Sequence, residues 1–109
     1  MAYDINKLLV MYPGIPKDYQ DMMIRFDGSW SWCGCLTLEY PSNSDELFPK
    51  LENASDYIWI LTDLGGKWIG YEKARWRIVG IEELEQRIHY LAFDLADLDK
   101  KYRSNPELF

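Results

Sequence analysis

The residues of this chain that could carry chemistry are few and scattered. Its one histidine, His89, leaves no histidine pair for a metal. Cys33 and Cys35 flank a single glycine and could supply two thiolates, whereas a structural zinc site takes four ligands. A nucleophilic Cys–His pair would need His89 to lie beside one of these cysteines, and nothing in the sequence requires that. We therefore expect reduced thiols on a strand, with no metal and no cofactor.

Two further patterns match catalytic motifs only in part. Gly65-Gly66-Lys67-Trp68 lacks the Walker spacing and lies between two predicted strands, so we expect a tight turn there. The acidic pairs Asp45-Glu46 and Glu82-Glu83 would need different environments within one cleft for acid–base catalysis. One pair lies in a polar segment and the other at a predicted helix start. These observations favour a protein that is not an enzyme.

Hydrophobic spacing predicts two helices at the start of the chain. The first carries apolar residues at helical spacing from Ile5 to Tyr12 and stops at Pro13-Gly14. Pro16 suits the first turn of the second, because its missing N–H costs nothing there. The second helix presents one apolar stripe, and Gly28 would cap it in the left-handed region. The stripe consists of Tyr19, Met22, Met23 and Phe26.

Alternating residues then predict an antiparallel sheet. Ser29 to Tyr40 has period two and forms one long strand, or two short strands bent at Gly34. Tyr57 to Thr62 is almost entirely apolar and should be central. The glycine turn Asp63 to Gly66 should join it to Lys67–Glu72, and Lys73-Ala74 should join that strand to Arg75–Ile81. The sheet would be a meander of about four strands.

The end of the chain predicts one long helix. Apolar residues alternate four and three apart, with Glu82, Glu83 and Glu85 in the first turn and Lys100, Lys101 and Arg103 at the end, which suits the helix dipole. The stripe consists of Leu84, Ile88, Leu91, Leu95, Leu98 and Tyr102. We expect this helix to pack on the sheet, so residues 1–109 form a single α+β domain.

Composition and charge limit the classes of partner that the chain could bind. The chain has 109 residues and a net charge of −6, with a sequence pI near 4.7. Direct binding to nucleic acid is disfavoured, because that affinity comes from neutralising phosphates with Lys and Arg. An acidic protein suits a basic protein partner, although solubility alone would also explain the charge. The first residues show no signal-peptide pattern and no apolar run reaches membrane length. We expect a cytoplasmic protein without membrane contact, as a monomer or a weak homodimer.

Aromatic and acidic side chains predict where a protein partner would bind. Two or three of the five tryptophans should be core, and the others should lie at an interface. The loop carboxylates Asp45, Glu46, Glu52 and Asp56 would form a rim for a basic partner. A solvated loop is the alternative for them.

Several short motifs resemble the SUKH superfamily, also called the SMI1/KNR4 family. In its members, a helix opens with Leu-Pro and an acidic–aromatic pair and ends at Asn-Gly. This chain is similar at Ile15-Pro16-Lys17-Asp18-Tyr19 and at Asp27-Gly28. A glycine turn, a Gly-Tyr strand and another strand follow in the family. Gly65-Gly66, Trp68-Ile69-Gly70-Tyr71 and Trp76-Arg77-Ile78-Val79 are similar in order and spacing.

The resemblance implies a binding module. Bacterial members commonly are immunity proteins that bind and neutralise toxins, often nucleases, whereas fungal members regulate cell-wall assembly through protein contacts. We expect a basic toxin domain as partner. The expected contacts are the carboxylates Asp45, Glu46 and Asp63, with Trp68 and Tyr71 as anchors. Two alternatives stay open: a phage or mobile-element inhibitor of a host nucleic-acid-processing complex, and a small regulatory subunit that docks through its final helix.

Overall fold

A computed structural model describes residues 5–24, 31–32, 36–43, 47–63 and 65–105 of the chain. Within these residues the structure has three α-helices, a short 3-10 helix and an antiparallel sheet. The helices are α1 (Ile5–Met11), α2 (Lys17–Ile24) and α3 (Leu95–Ser104), and the 3-10 helix is Ala54–Asp56. The strands are β1 (Ser31–Trp32), β2 (Leu36–Asn43), β3 (Tyr57–Thr62), β4 (Lys67–Glu72), β5 (Arg77–Glu82) and β6 (His89–Ala92).

The predicted α+β class, with a C-terminal helix on an antiparallel sheet, is confirmed. Strands follow one another in the order β1-β2-β3-β4-β5-β6, so the predicted meander is also correct. It continues beyond the predicted strands on the far side of β5, where β6 pairs antiparallel with β5. β1 and β2 pair with each other through Trp32 and Leu36. The described part of this pattern therefore forms two strands, as in the second of the two alternatives, and Gly34, where the bend was predicted, lies outside the described residues.

Both N-terminal helices lie where the apolar spacing placed them. Leu8 of α1 is fully buried, and α2 buries Tyr19, Met22 and Met23. Ile15 in the elbow between the helices is buried as well, so the proline-rich connection is itself packed. Phe26 and Gly28 lie outside the described residues.

The predicted start of the final helix is wrong. The chain turns after Glu82, Gln86 adopts a left-handed φ of 50°, and His89–Ala92 pairs with β5 as a strand. The apolar stripe is shared between structures: Leu84 is 91% exposed, Ile88 packs on the sheet face away from the helices, and Leu91 packs towards them. Of the predicted final helix, only the part that forms α3 is helical. The segment before it pairs with β5 as a strand, and this pairing satisfies its backbone hydrogen bonds.

Hydrogen bonds at Asp94 mark the true helix start. The Asp94 carboxylate accepts a bond of 2.8 Å from the Asp97 N–H, and the Asp97 carboxylate accepts one of 2.9 Å from the Phe93 N–H. Such reciprocal bonds satisfy N–H groups that a helix start leaves without partners. Lys101 and Arg103 lie in the last turn, where the predicted basic end is confirmed.

The two faces of the sheet are covered unequally. Helices and sheet share the larger core, to which Ile58, Ile69 and Tyr71 contribute from the strands. On the opposite face, a smaller cluster joins Phe48 to Trp59, Val79 and Ile81. Phe48 stacks edge-on against Trp59, with ring centroids 5.5 Å apart. Towards β6 this second face remains open to solvent, and one of the surfaces described below lies there.

Candidate protein-binding surfaces

Asp63 organises the turn between β3 and β4. One of its carboxylate oxygens accepts bonds from the Gly65 N–H (2.8 Å) and the Lys67 N–H (3.1 Å). The Thr62 hydroxyl donates to the Lys67 carbonyl at 3.1 Å and closes the same turn. Asp63 is half-buried, so this predicted contact residue shapes the loop as well as charging it.

The turn after β5 lies against this turn and adds to its charge. The Glu83 N–H donates to the Gly66 carbonyl at 2.8 Å, which ties the two turns together. Glu83 and Glu85 are exposed, and Glu82 is half-buried at the end of β5. We call Asp63, Glu82, Glu83 and Glu85 the acidic end. The basic side chains of the same turns and strand ends are Lys67 and Arg87, so carboxylates outnumber cations here.

His89 lies beside the acidic end and not in a helix. Its Nε2 is 3.9 Å from a carboxylate oxygen of Glu85, and both side chains are about half exposed. An exposed pair at this distance adds little stability. Cys33 and Cys35 fall outside the described residues, so a Cys–His arrangement is not tested.

Trp68 is the predicted anchor that retains an exposed edge. It is half-buried and packs against the smaller core cluster, opposite Thr62 in the β3–β4 register. This register brings it close to the Asp63 turn at the acidic end. Asp45 and Glu46 lie outside the described residues, so their predicted role stays a prediction.

The prediction that Tyr71 anchors a partner is wrong, because Tyr71 is fully buried. Its ring contacts Tyr19 and Trp76 edge-on, at centroid distances of 6.2 and 5.5 Å. No hydrogen bond of good geometry within 3.5 Å joins its hydroxyl to the described residues, although the Asp18 carboxylate is near enough to act on it. Burial, with the carboxylates of Asp18 and Asp94 nearby, raises the pKa of this phenol. In β4, alternation directs Tyr71 to the helix side and Trp68 to the opposite side.

The tryptophans divide between core and partial exposure. Trp59 is fully buried, whereas Trp68 and Trp76 are half-buried. Trp76 has a left-handed φ of 55° in the β4–β5 loop, and its indole covers Gly14 so closely that a Cβ there would lie 2.7 Å from the ring nitrogen. Trp76 thus joins the loop to the helical elbow. Trp30 and the Trp32 side chain fall outside the described residues.

A second surface lies where the smaller core cluster ends. An open groove of about 500 Å³ runs along β5 and β6 on the face away from the helices. We call it the β5–β6 groove, lined by Glu72, Arg75, Arg77, Val79, Ile88, Tyr90 and Phe93. Tyr90 and Phe93 are 61% and 58% exposed, and the Arg77 guanidinium lies 3.8 Å from the Phe93 ring centroid.

The groove was not predicted from the sequence, because Tyr90 and Phe93, which form its aromatic side, were assigned to the final helix. One signal was available: the Asp94-to-Asp97 spacing is typical of a helix start and would have released His89–Ala92 for a strand. Once β6 is a strand, Tyr90 faces the same side as Val79, its register partner on β5.

Within the described ranges, no group of three or more His, Cys, Asp or Glu side chains could hold a metal ion. The same ranges contain no helix both long enough and apolar enough to cross a membrane. In comparisons with known proteins, the chain matches no family model, no curated protein and no solved structure.

Proposed function

We propose that this chain is a non-catalytic protein-binding module, an immunity protein of the SUKH type that acts in the cytoplasm. It would bind a cognate toxin with a basic active cleft, most simply a nuclease, and block access of the substrate. The family assignment rests on the short motifs given above. The observation that carries the proposal is the acidic end, in a chain with a net charge of −6.

The acidic end has the form that such binding requires. A hydrogen bond from Glu83 to Gly66 joins the two turns, and the Asp63 carboxylate accepts two backbone hydrogen bonds within the first of them. Glu83 and Glu85 then project into solvent from a preorganised backbone, so little conformational entropy is lost on binding. Carboxylates arranged in this way steer a basic partner and raise its association rate. Trp68, half-buried and opposite Ile81 in the β4–β5 register, adds a partly exposed aromatic side chain next to this end of the hairpin.

The test replaces Glu83 and Glu85 with lysine and leaves the turn-forming Asp63 intact. The matched control replaces with lysine two carboxylates outside both the acidic end and the predicted rim, Asp21 on α2 and Asp99 on α3, which gives the same net charge. Each tagged protein is used to capture partners from the native host at low and then high salt. The association rate of the purified partner is then measured against salt.

We expect a single basic toxin partner whose association with Glu83→Lys/Glu85→Lys slows at least about tenfold at low salt, while the control changes less. Equal slowing in both double variants would mean that only net charge matters and would reject the acidic end as the site. Capture of a host nucleic-acid-processing complex instead of a toxin would reject the immunity function in favour of the phage-inhibitor alternative.

A further inference from the structure

The β5–β6 groove exposes apolar surface that no other part of the described chain covers. Val79 and Ile88 belong to the smaller core cluster, which is closed by Phe48 on the β3 side. Beyond Ile88, Tyr90 and Phe93 stand more than half exposed on the same side of the sheet. Contiguous exposed aromatic side chains in a concave surface mark interaction sites, because their burial releases ordered water.

The Arg77 guanidinium is positioned by an aromatic ring and not by a carboxylate. In the register it lies directly opposite Glu72, yet no ion pair within 4.0 Å joins them; its guanidinium stacks over Phe93 instead. Stacking fixes the plane of the guanidinium and leaves its N–H edge available for a carboxylate. Arg75 lines the same groove from the exposed β4–β5 loop. Neither arginine makes an ion pair with a carboxylate of the described residues.

The charge of the groove is opposite to that of the whole protein. Two arginines face one glutamate in its lining, whereas the chain carries −6 overall. The groove therefore suits an occupant with both carboxylates and apolar side chains. β6 is also the last strand of the described sheet, beside which an extended segment could lie. We propose that the β5–β6 groove binds an extended acidic segment of a protein partner, whose carboxylates pair with Arg75 and Arg77 while its apolar side chains cover Tyr90 and Phe93.

Other occupants fit less well. Nucleic acid needs a series of cations along its phosphates, and this groove offers two in a strongly acidic protein. A second copy of the chain could bring its acidic end to the groove, but such a head-to-tail contact would not close into a dimer. The proposal goes beyond the toxin-binding function, since it concerns a separate surface of opposite charge.

The test uses fluorescein-labelled synthetic peptides in which Glu alternates with Leu, Phe or Val. Matched peptides carry Gln in place of Glu, and a labelled single-stranded oligonucleotide serves as the alternative anion. Binding to the full chain is measured by fluorescence anisotropy. The variant is Arg75→Gln/Arg77→Gln, and Arg87→Gln removes an exposed arginine that does not line the groove. Arg75→Gln alone, in an exposed loop, guards against a folding defect in the double variant.

We expect the Glu peptides to bind at least about tenfold more tightly than the Gln peptides, and the double variant to lose that preference. Arg75→Gln should lose part of it, and Arg87→Gln should keep it. Backbone amide NMR shifts on peptide addition should be concentrated in β5, β6 and the β4–β5 loop. Three results would overturn the proposal: no charge-dependent peptide binding, tighter binding of the oligonucleotide at the same arginines, or self-association that disappears in Arg75→Gln/Arg77→Gln. A failure here would leave the Glu83 and Glu85 test unaffected, because the two tests share no residue.

Discussion

In Tyr71, burial of the ring stabilises the fold, whereas burial of the hydroxyl costs free energy. The ring fills the core between Tyr19 and Trp76, which stabilises the fold through apolar burial. The hydroxyl is buried without a partner among the described residues. Its lost hydration is therefore not replaced by a well-formed hydrogen bond, although the Asp18 carboxylate acts on it. A buried group without such a bond costs about 1–3 kcal/mol. This tyrosine contributes to folding mainly through its ring.

Replacing Tyr71 with phenylalanine should raise the free energy of unfolding by about 1 kcal/mol, since the ring is kept and the unpaired hydroxyl is removed. Urea denaturation at neutral pH measures this, with Tyr90→Phe, at an exposed site, as the control that should not change. A loss of stability in Tyr71→Phe would show that the hydroxyl is hydrogen-bonded in solution.

Asp97 makes the stability of the protein depend on pH. Its hydrogen bond from the Phe93 N–H, and then that from Lys101, hold the pKa of this carboxyl below its ordinary value of 3.8. A lowered pKa in the folded state means that the unfolded state binds the proton more readily. The stabilising effect is present above the ordinary pKa and is lost as pH falls through the folded value.

Asp97→Asn should therefore unfold at lower urea than the natural chain at pH 7, and the difference should shrink as the pH falls below about 3.8. Circular dichroism across this pH range measures the effect. The control is Asp99→Asn, which removes the carboxylate of the exposed ion pair between Asp99 and Arg103. This variant should change stability less. A constant difference at all pH values would contradict the assigned cause.

At the scale of elements, the β3–β4 pair contains a bulge that depends on Gly70. The register shifts between Trp59 and Leu61, so Ile60 is an extra residue on β3. Opposite the shift, a Cβ on Gly70 would collide with the Ile58 carbonyl oxygen and lie 2.8 Å from the Trp59 Cα. Both contacts are with backbone, which cannot move aside cheaply. The bulge lets Ile60 and Leu61 both enter the larger core.

Gly70→Ala should destabilise the protein by more than about 2 kcal/mol, because the central strands must separate to admit the methyl group. Thermal or urea unfolding measures the change. Gly65→Ala is the matched control: its added Cβ would meet Asp63 at an ordinary 3.5 Å, so stability should fall much less. Equal losses in the two variants would mean that the strands can shift to accommodate a Cβ at Gly70.

At the scale of the whole molecule, charge is distributed along the strands. In the β4–β5 register, Lys67 lies opposite Glu82 at one end of the hairpin, and Glu72 lies opposite Arg77 at the other. These ends are about 17 Å apart at the usual strand rise, a distance that exceeds the screening length at physiological salt. The acidic end and the arginines of the groove therefore act as separate electrostatic sites, each with its own expected salt dependence.

Local patterns were sufficient for most of the elements. The apolar stripes of α1 and α2, the unbroken apolar run of β3 and the glycine turn at Asp63 each depend on neighbours along the chain. Such features follow from backbone geometry and are therefore readable from sequence. Asp63 as a turn residue is readable in the same way, whereas Glu82, Glu83 and Glu85 were predicted at a helix start and lie at the end of β5 and in the turn after it.

Contacts between distant parts of the chain decided the remainder. Residues from Leu84 to Leu91 fit a helical stripe as well as they fit a turn and a strand, and only pairing with β5 selects the strand. That choice exposes Tyr90 and Phe93, forms the β5–β6 groove and separates α3 from the acidic turn. Trp68 and Tyr71 likewise differ little in sequence context, yet the helices cover one face of β4 and bury Tyr71 alone. The chain's periodicity determined which segments are regular, whereas tertiary packing determined which of their faces meet solvent, because burial depends on partners that are remote in sequence.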